Sequence, residues 1–328
     1  MKQLTRANLR HLKALLKKSS NPAATVYDSI GAGFFLEPAP GWLNLGLWEG
    51  PGEESAAEGA AQRLVATLAT ELPRDAVVLD VGNGLGAQDL VIKEVARPRR
   101  LIALNITESQ LRAGAQRLRV AAALPVAGDA TRLPLADGSV DGVISVEAAF
   151  HFSSRSEFFA EAVRVLAPGG VLTMSDISAE RIWPRSPAEL FAGVFNVRMW
   201  GLSRRSLMPS GSIAAAARSA GLVDVDVRPV GERVFPPALE FFDARLRRSV
   251  NEPWHYRLGA RLMLSGWRLL YRRRMLDYIL LRAAVPACGA AEQTAPACGA
   301  AEQTVPACGA AEQTAPACGA AEQTAPTS

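Results

Sequence analysis

Before residue 288 the chain has no cysteine. All four cysteines (Cys288, Cys298, Cys308 and Cys318) fall in a C-terminal repeat. The even count therefore supports neither a disulfide framework nor a metal site in the rest of the chain, and a cytoplasmic, reducing location is the expectation. Long apolar runs are missing too, because none reaches the roughly 18 residues that a membrane span needs. Acidic residues are absent from Met1–Lys18, and no apolar core of a secretory leader is seen there. That segment places Leu4, Leu9, Leu12, Leu15 and Leu16 near helical spacing. It reads as a basic N-terminal helix over residues 1–20, either a surface helix or one that meets a membrane surface or targeting receptor.

What is present divides the chain. From Pro286 a ten-residue unit, Pro-Ala-Cys-Gly-Ala-Ala-Glu-Gln-Thr-Ala, recurs at Pro296, Pro306 and Pro316 with little variation. It carries no large apolar residue and cannot build a packed layer, so residues 285–328 read as a disordered tail. The four Glu of the tail removed, 36 basic residues face 28 acidic ones and the net charge rises from +4 to +8. A hydrophobic content of 49% suffices for a sizeable core, and residues 21–284 read as one domain.

Within it, short β-branched runs alternate with helical stretches. Strands are expected at Ala76–Val81, Arg100–Ile106, Leu124–Gly128, Val140–Glu147 and Val171–Ile177. Helices are expected at Gln88–Arg97, Glu108–Val120 and Arg155–Leu166, the last stopped by Ala167-Pro168-Gly169-Gly170. This alternation predicts βαβ units on a doubly wound parallel sheet, with the ligand site at the carboxyl ends of its strands. Further on, Pro187–Trp200 and Ser212–Ala220 look helical and Val223–Val230 alternates as a strand. Pro236–Arg274 looks helical, and Leu276–Leu281 closes the series. A sixth and seventh strand would then flank a helical insert of about residues 236–274. Residues 1–70 would help to cap the active edge.

The turn after the first strand is Asp80-x-Gly82-x-Gly84-x-Gly86. Glycines there let the backbone approach a ligand that a Cβ would strike. Dinucleotide enzymes use a related loop, but the spacing here is Gly-x-Gly-x-Gly and an acid precedes the first glycine on the strand. The residue ending strand two, where a dinucleotide enzyme needs Asp or Glu, is Asn105.

With this loop come other blocks in order. They are Tyr27-Asp28, Leu43-Asn44-Leu45-Gly46-Leu47-Trp48, Leu104-Asn105-Ile106-Thr107 with Gln110, and Gly128-Asp129-Ala130 with Leu133-Pro134. Val146-Glu147-Ala148-Ala149-Phe150-His151-Phe152 and Arg164-Val165-Leu166-Ala167-Pro168-Gly169-Gly170 complete the set. Together they resemble the small-molecule class I S-adenosylmethionine-dependent methyltransferases, most of all the sugar and macrolide O-methyltransferases and the tocopherol- and phthiotriol-type enzymes. The resemblance implies an α/β, Rossmann-like seven-stranded methyltransferase sheet with a helical cap and a helical insert before the last strand. It also implies S-adenosyl-L-methionine as cofactor. Gly82 and Gly84 would admit the methionine part, with Asp80 near its amino group. Asn105, helped by Gln110, would hydrogen-bond the ribose, and Asp129 and the Ala130 amide would face the adenine. Tyr27, Gly86, Ile106 and Glu147 are counted with them as cofactor-binding residues. Gln110 can instead face solvent, and Asp129 can be a turn residue. Asn83 stands where many relatives have Cys.

Methyl transfer to a hydroxyl benefits from a base that takes the proton. His151, just after strand four, is the candidate, with Asp176 at the end of strand five to orient the imidazole or hold a substrate hydroxyl. His151 can equally be a packed histidine, since relatives carry two adjacent histidines where this chain has Phe150-His151. The stretch Phe241–Arg282 carries ten Arg against three acids. It reads as an insert with a solvated Arg face, a lid in peripheral membrane contact through Phe241–Arg274, or, with no recognised motif to support it, a nucleic-acid surface. The expected activity is methyl transfer to a small, apolar or lipid-like metabolite, on oxygen. The alternatives are carbon or nitrogen methylation, or a non-catalytic protein that binds the cofactor and acts through its basic insert.

Overall fold

The computed structural model describes residues 37–200, 202, 204–248 and 254–287. Tyr27, the basic N-terminal segment and the repeat from Cys288 onward lie outside them. The chain divides into residues 1–290 and 291–328, and everything described belongs to the first unit.

Seven strands form one sheet in the order β3-β2-β1-β4-β5-β7-β6. They are β1 (Val77–Val81), β2 (Arg100–Asn105), β3 (Ala123–Ala127), β4 (Val140–Val146), β5 (Leu166–Ser178), β6 (Val223–Pro229) and β7 (Asp277–Ala284). The first five pair in parallel, and β7 runs antiparallel between β5 and β6. All five residues of β1 are buried, as befits a parallel strand covered on both faces. Side chains alternate across it. Val78 joins the core beneath helices α1 (Glu54–Ala69) and α2 (Ala87–Ala96), while Val77, Leu79 and Val81 join the opposite core. The order reverses between β2 and β4 around β1, so the carboxyl ends of β1 and β4 flank the crevice in which such sheets bind ligands.

Two expectations change in detail. The helix expected over 108–120 is two, α3 (Glu108–Ala113) and α4 (Ala115–Ala121). They part at Gly114, where a Cβ would stand 2.7 Å from the Leu85 carbonyl oxygen. The Ala167–Gly170 segment, expected only to stop helix α5 (Arg155–Val165), already belongs to β5, whose register shifts between Val140 and Gly142 of β4.

The remaining helices build the acceptor side. Helix α6 (Pro187–Met199) starts on a serine N-cap, with Ser186 Oγ accepting from the Glu189 amide at 3.2 Å, Glu189 Oε2 accepting from the Arg185 amide at 2.6 Å and Pro187 in the first turn. Helix α7 (Ser210–Ser219) precedes β6. Helices α8 (Phe235–Arg248) and α9 (Trp254–Arg272) form the insert between β6 and β7. Phe235, Phe241, Phe242 and Leu246 of α8 are all buried in the main core. Exposing each would cost about 1.5–3 kcal/mol, so α8 is core and not a lid. That corrects the lid reading of Phe241–Arg274 for its first half.

Candidate active site

The turn after β1 is built to exclude side chains. Gly82, Gly84 and Gly86 have φ of +82°, +57° and +81°, values that an L side chain rarely adopts. A Cβ on Gly82 would lie 2.5 Å from Ala148 Cβ, beyond β4, and one on Gly84 would lie 3.3 Å from Leu43 Cδ1. The Gly82 amide donates to the Leu104 carbonyl at 2.8 Å and locks the turn against β2.

Beneath this turn lies a buried polar network. Gln88 Nε2 donates to both oxygens of Asp80 at 2.8 Å. Asn83 Nδ2 donates to Asp89 Oδ2 at 3.1 Å, and Asn105 Nδ2 donates to Asn83 Oδ1 at 3.3 Å. Asp80 and Asp89 are both fully buried. Loss of water, then the charge of Asp89, holds the Asp80 carboxyl well above the usual range. Desolvation lifts Asp89 to about 7, against the opposing hydrogen bond from Asn83. Two carboxyls that cannot both ionise cheaply, set behind a glycine cradle, favour a cationic partner. Gln88 and Asp89 were not singled out in the sequence. Their signal was an amide and an acid in the first turn of the helix that the loop opens.

At the end of β2, Asn105 Nδ2 donates to Gln110 Oε1 at 3.0 Å. The Asn105 side chain also donates to the Gly84 carbonyl at 3.3 Å and accepts from the Thr107 amide at 2.9 Å. It therefore closes the turn from within. Ile106 beside it is 45% exposed, as an adenosine-facing residue can be. At the end of β3, Asp129 is exposed and its Oδ1 accepts from the amide and hydroxyl of Thr131, both at 2.9 Å. Ala130 is buried.

At the end of β4, Glu147 is a non-glycine residue with φ of +51°, a strained conformation of the kind found where function demands it. Its Oε2 accepts from the Leu45 amide and from the Tyr278 hydroxyl, each at 2.8 Å. Tyr278 Oη lies 3.1 Å from Ser175 Oγ. Glu147 so ties together the loop before α1, strand β5 and strand β7. Burial pushes its pKa to about 8. Tyr278 was not anticipated as part of the site, since its contact with Glu147 spans 131 residues.

His151 ends the short turn Ala149–His151. Its ring centre lies 4.0 Å from that of Phe150 and 6.1 Å from that of Trp200. Trp200 stacks on Trp267 at 5.6 Å, Trp267 meets Phe235 edge-on, and Phe235 meets Tyr278 edge-on. An aromatic wall thus runs from His151 to the Glu147–Tyr278 pair. Desolvation, then the nearby Arg155 charge, lowers the His151 pKa to about 3, so the imidazole is neutral at physiological pH.

Asp176 sits elsewhere than its expected contact with substrate. It is fully buried and its Oδ2 accepts from Arg155 Nε at 2.6 Å, while Oδ1 accepts from the Ile177 amide at 2.9 Å. The Phe150 amide also donates to it. Burial raises its pKa more than Arg155 lowers it. Arg155 donates further to the carbonyls of Ser206 at 2.6 Å and Ile177 at 3.2 Å. Asp176 therefore fastens the backbone of the His151 turn and leaves no oxygen open to a substrate hydroxyl. A basic residue four positions after His151 was the sequence signal for this pair.

A seven-stranded sheet in this order, with a left-handed glycine turn at the carboxyl end of β1, defines a class I S-adenosylmethionine-dependent methyltransferase fold. Residues 79–174 match the family described as a methyltransferase domain. The chain is 31% identical over 291 residues to the erythromycin 3''-O-methyltransferase of Saccharopolyspora erythraea, a match over 82% of this chain and 92% of that protein. It is 28% identical over 254 residues to the 27-O-demethylrifamycin SV methyltransferase of Amycolatopsis mediterranei, over 74% and 90% of the two chains. A mycolic acid cyclopropane synthase solved with S-adenosylhomocysteine shares the fold, with a TM-score of 0.68 at 18% identity over 82% of this chain and 99% of that one. The chain belongs to the family of S-adenosylmethionine-dependent methyltransferases, and S-adenosylmethionine is its cofactor. The turn is compatible with that group: its three glycines hold positive φ, where a side chain is strained, and the Asp80–Gln88 and Asn83–Asp89 contacts brace it from beneath.

Proposed function

We propose that this enzyme methylates a hydroxyl oxygen of a small apolar or lipid-like metabolite, with His151 as the proton acceptor. The observation that carries this reading is the position of His151 just past the carboxyl end of β4, at one end of an aromatic wall. The names of the erythromycin and rifamycin relatives, which specify O-methylation, support an oxygen acceptor.

Tyr27, Asp80, Gly82, Gly84, Gly86, Asn105, Ile106, Gln110, Asp129, Ala130 and Glu147 would hold the cofactor. Bound there, S-adenosylmethionine supplies a methyl group on a positively charged sulfur, and the transfer discharges that charge. His151 receives the acceptor's hydroxyl proton on a ring nitrogen, an uptake that burial and the Arg155 charge oppose in the free protein. Asp176 is a positioning residue: through the Phe150 amide and Arg155 it fixes the turn that presents the imidazole. Trp200 offers apolar contact to the acceptor, and the buried Trp267 and Phe235 back it and exclude water. The test is incubation of extracts with methyl-labelled cofactor and identification of the labelled product. Label on a hydroxyl oxygen, lost with His151→Ala, supports the reading; label on carbon or nitrogen, or full activity of the variant, overturns it.

A further inference from the structure

Helix α6 is apolar on the side turned away from the protein. Ala192 and Asn196 face α9, where a Cβ on Gly266 would meet the Asn196 side chain at 2.5 Å. On the opposite side Leu190, Phe191 and Val194 are each more than half exposed, with Phe191 stacked on Phe195. Just before the helix, Ile182 is 46% exposed and Trp183 is 82% exposed. On α9 the line Trp254–Leu258–Leu262–Gly266 follows the i, i+4 spacing. Its last member meets Asn196, while the first three are exposed. Water does not tolerate this much apolar surface on a helix without a reason.

The charges around it are of one sign. Residues 254–274 contain six Arg and no acid, and residues 181–200 contain three Arg and one acid, Glu189. That acid is buried and already taken by Arg181 at 3.1 Å. Arg185, Arg198, Arg261 and Arg272 are exposed. Exposed tryptophans with leucine and phenylalanine, bordered by arginines and, among the described residues 181–200 and 254–274, without an exposed carboxylate, match the chemistry of an anionic lipid surface: apolar groups enter the acyl boundary and guanidinium groups meet headgroup phosphates.

We propose that the outward face of α6, with the Ile182–Trp183 loop and the exposed row of α9, docks on an anionic membrane surface. No described helix is long and apolar enough to cross a membrane, so the contact is peripheral. Its placement has a consequence for the reaction. The residue following α6 is Trp200, which forms the aromatic wall beside His151. One helix so links the lipid-facing surface to the site, and an apolar acceptor dissolved in the bilayer can reach the imidazole along it. This last step rests on the apolar-acceptor reading above, whereas docking itself does not.

The test uses the full-length protein without cofactor or acceptor, so that its failure leaves the proposed reaction standing. Co-sedimentation is measured with phosphatidylcholine vesicles and with vesicles that also contain phosphatidylserine. The wild type is expected to bind the anionic vesicles, and more weakly as salt rises. Trp183→Ser with Phe191→Ser, two exposed positions whose replacement leaves the core untouched, should weaken binding at least tenfold. Arg185→Glu and Arg261→Glu should each weaken it about fivefold. All variants should bind S-adenosylhomocysteine as the wild type does, which shows that they are folded. Equal binding to both vesicle types, or binding unchanged in the variants, overturns the proposal. So does a wild type that ignores vesicles and instead self-associates through this face in a manner that Phe191→Ser abolishes.

Discussion

The half of the sheet from β1 to β3, proposed to hold the cofactor, and the half from β4 to β7 with α6, α8 and α9, proposed to receive the acceptor, are held together differently. In the first half the decisive contacts stay within 22 residues: Asp80 meets Gln88 across 8, Asn105 meets Gln110 across 5 and Asn105 meets Asn83 across 22. In the second the Arg155–Asp176 pair spans a similar 21, but Leu45 meets Glu147 across 102 and Tyr278 meets Glu147 across 131. The first half is a backbone device, with glycines and a buried polar chain shaping a turn. The second is a side-chain device, in which aromatic rings flank one imidazole, buried Asp176 fixes its turn and Glu147 ties together the Leu45 loop and Tyr278. A ligand common to the whole family can be served by a local motif. An acceptor that differs between relatives is served by residues gathered from distant elements.

The sharpest way to separate the halves is His151→Ala. If it is the base, kcat should fall by about 10²- to 10⁴-fold, while affinity for S-adenosylhomocysteine stays within about twofold, as read by calorimetry alongside initial rates. Equal loss of both would erase the distinction. Next in size is Arg155→Leu, which strands a buried carboxylate. Urea denaturation should show a loss of about 3–5 kcal/mol, and adding Asp176→Asn should restore part of it. If the double variant is no better than the single one, the pair does not act as a unit.

Gly82→Ala addresses the first half. A side chain at φ +82° that meets Ala148 costs about 1–3 kcal/mol of strain, and the cradle should lose at least tenfold in S-adenosylhomocysteine affinity. Retained affinity would mean that the ligand does not approach the turn. The smallest effect concerns Glu147. Its carboxyl, raised to about 8 in the folded protein, keeps a proton that the unfolded chain releases above about pH 4.5. It therefore contributes stability that is present at low pH and declines as pH rises from about 4.5 to about 8. Glu147→Gln does not titrate, so the melting temperature of the variant should gain on the wild type between about pH 5 and about pH 9. A constant difference would show that this carboxyl is ionised throughout.

The same contrast explains what could be read before the fold was known. The strands announce themselves as β-branched runs, and the glycine turn is legible because a single local constraint, the lack of room for a Cβ, selects every residue in it. Helix–strand alternation also placed the insert between β6 and β7. The break at Gly114 was hidden, since it arises from the Leu85 carbonyl 29 positions away. Periodicity marked α8 and α9 as amphipathic without saying which side met the core. The Phe235–Phe242 face turned inward because four large side chains gain more there than at any surface. Asp176 reads from the sequence as orienting the His151 imidazole or holding a substrate hydroxyl; its partner Arg155 does not announce itself, and the carboxylate acts on the backbone of the His151 turn. Asn83 and Asn105, two separate departures from the commoner pattern in sequence, proved to be neighbours in one hydrogen-bonded chain that ends on Asp89.

The most direct test of the account is a calorimetric titration of the wild-type protein with S-adenosylhomocysteine, in parallel with Gly82→Ala and His151→Ala. The account expects one saturable site in the wild type, the same site in His151→Ala, and a weakened or missing one in Gly82→Ala. A cooperatively folded wild type that gives no heat and no rise in melting temperature, or a Gly82→Ala protein that binds as tightly as the wild type, would contradict it.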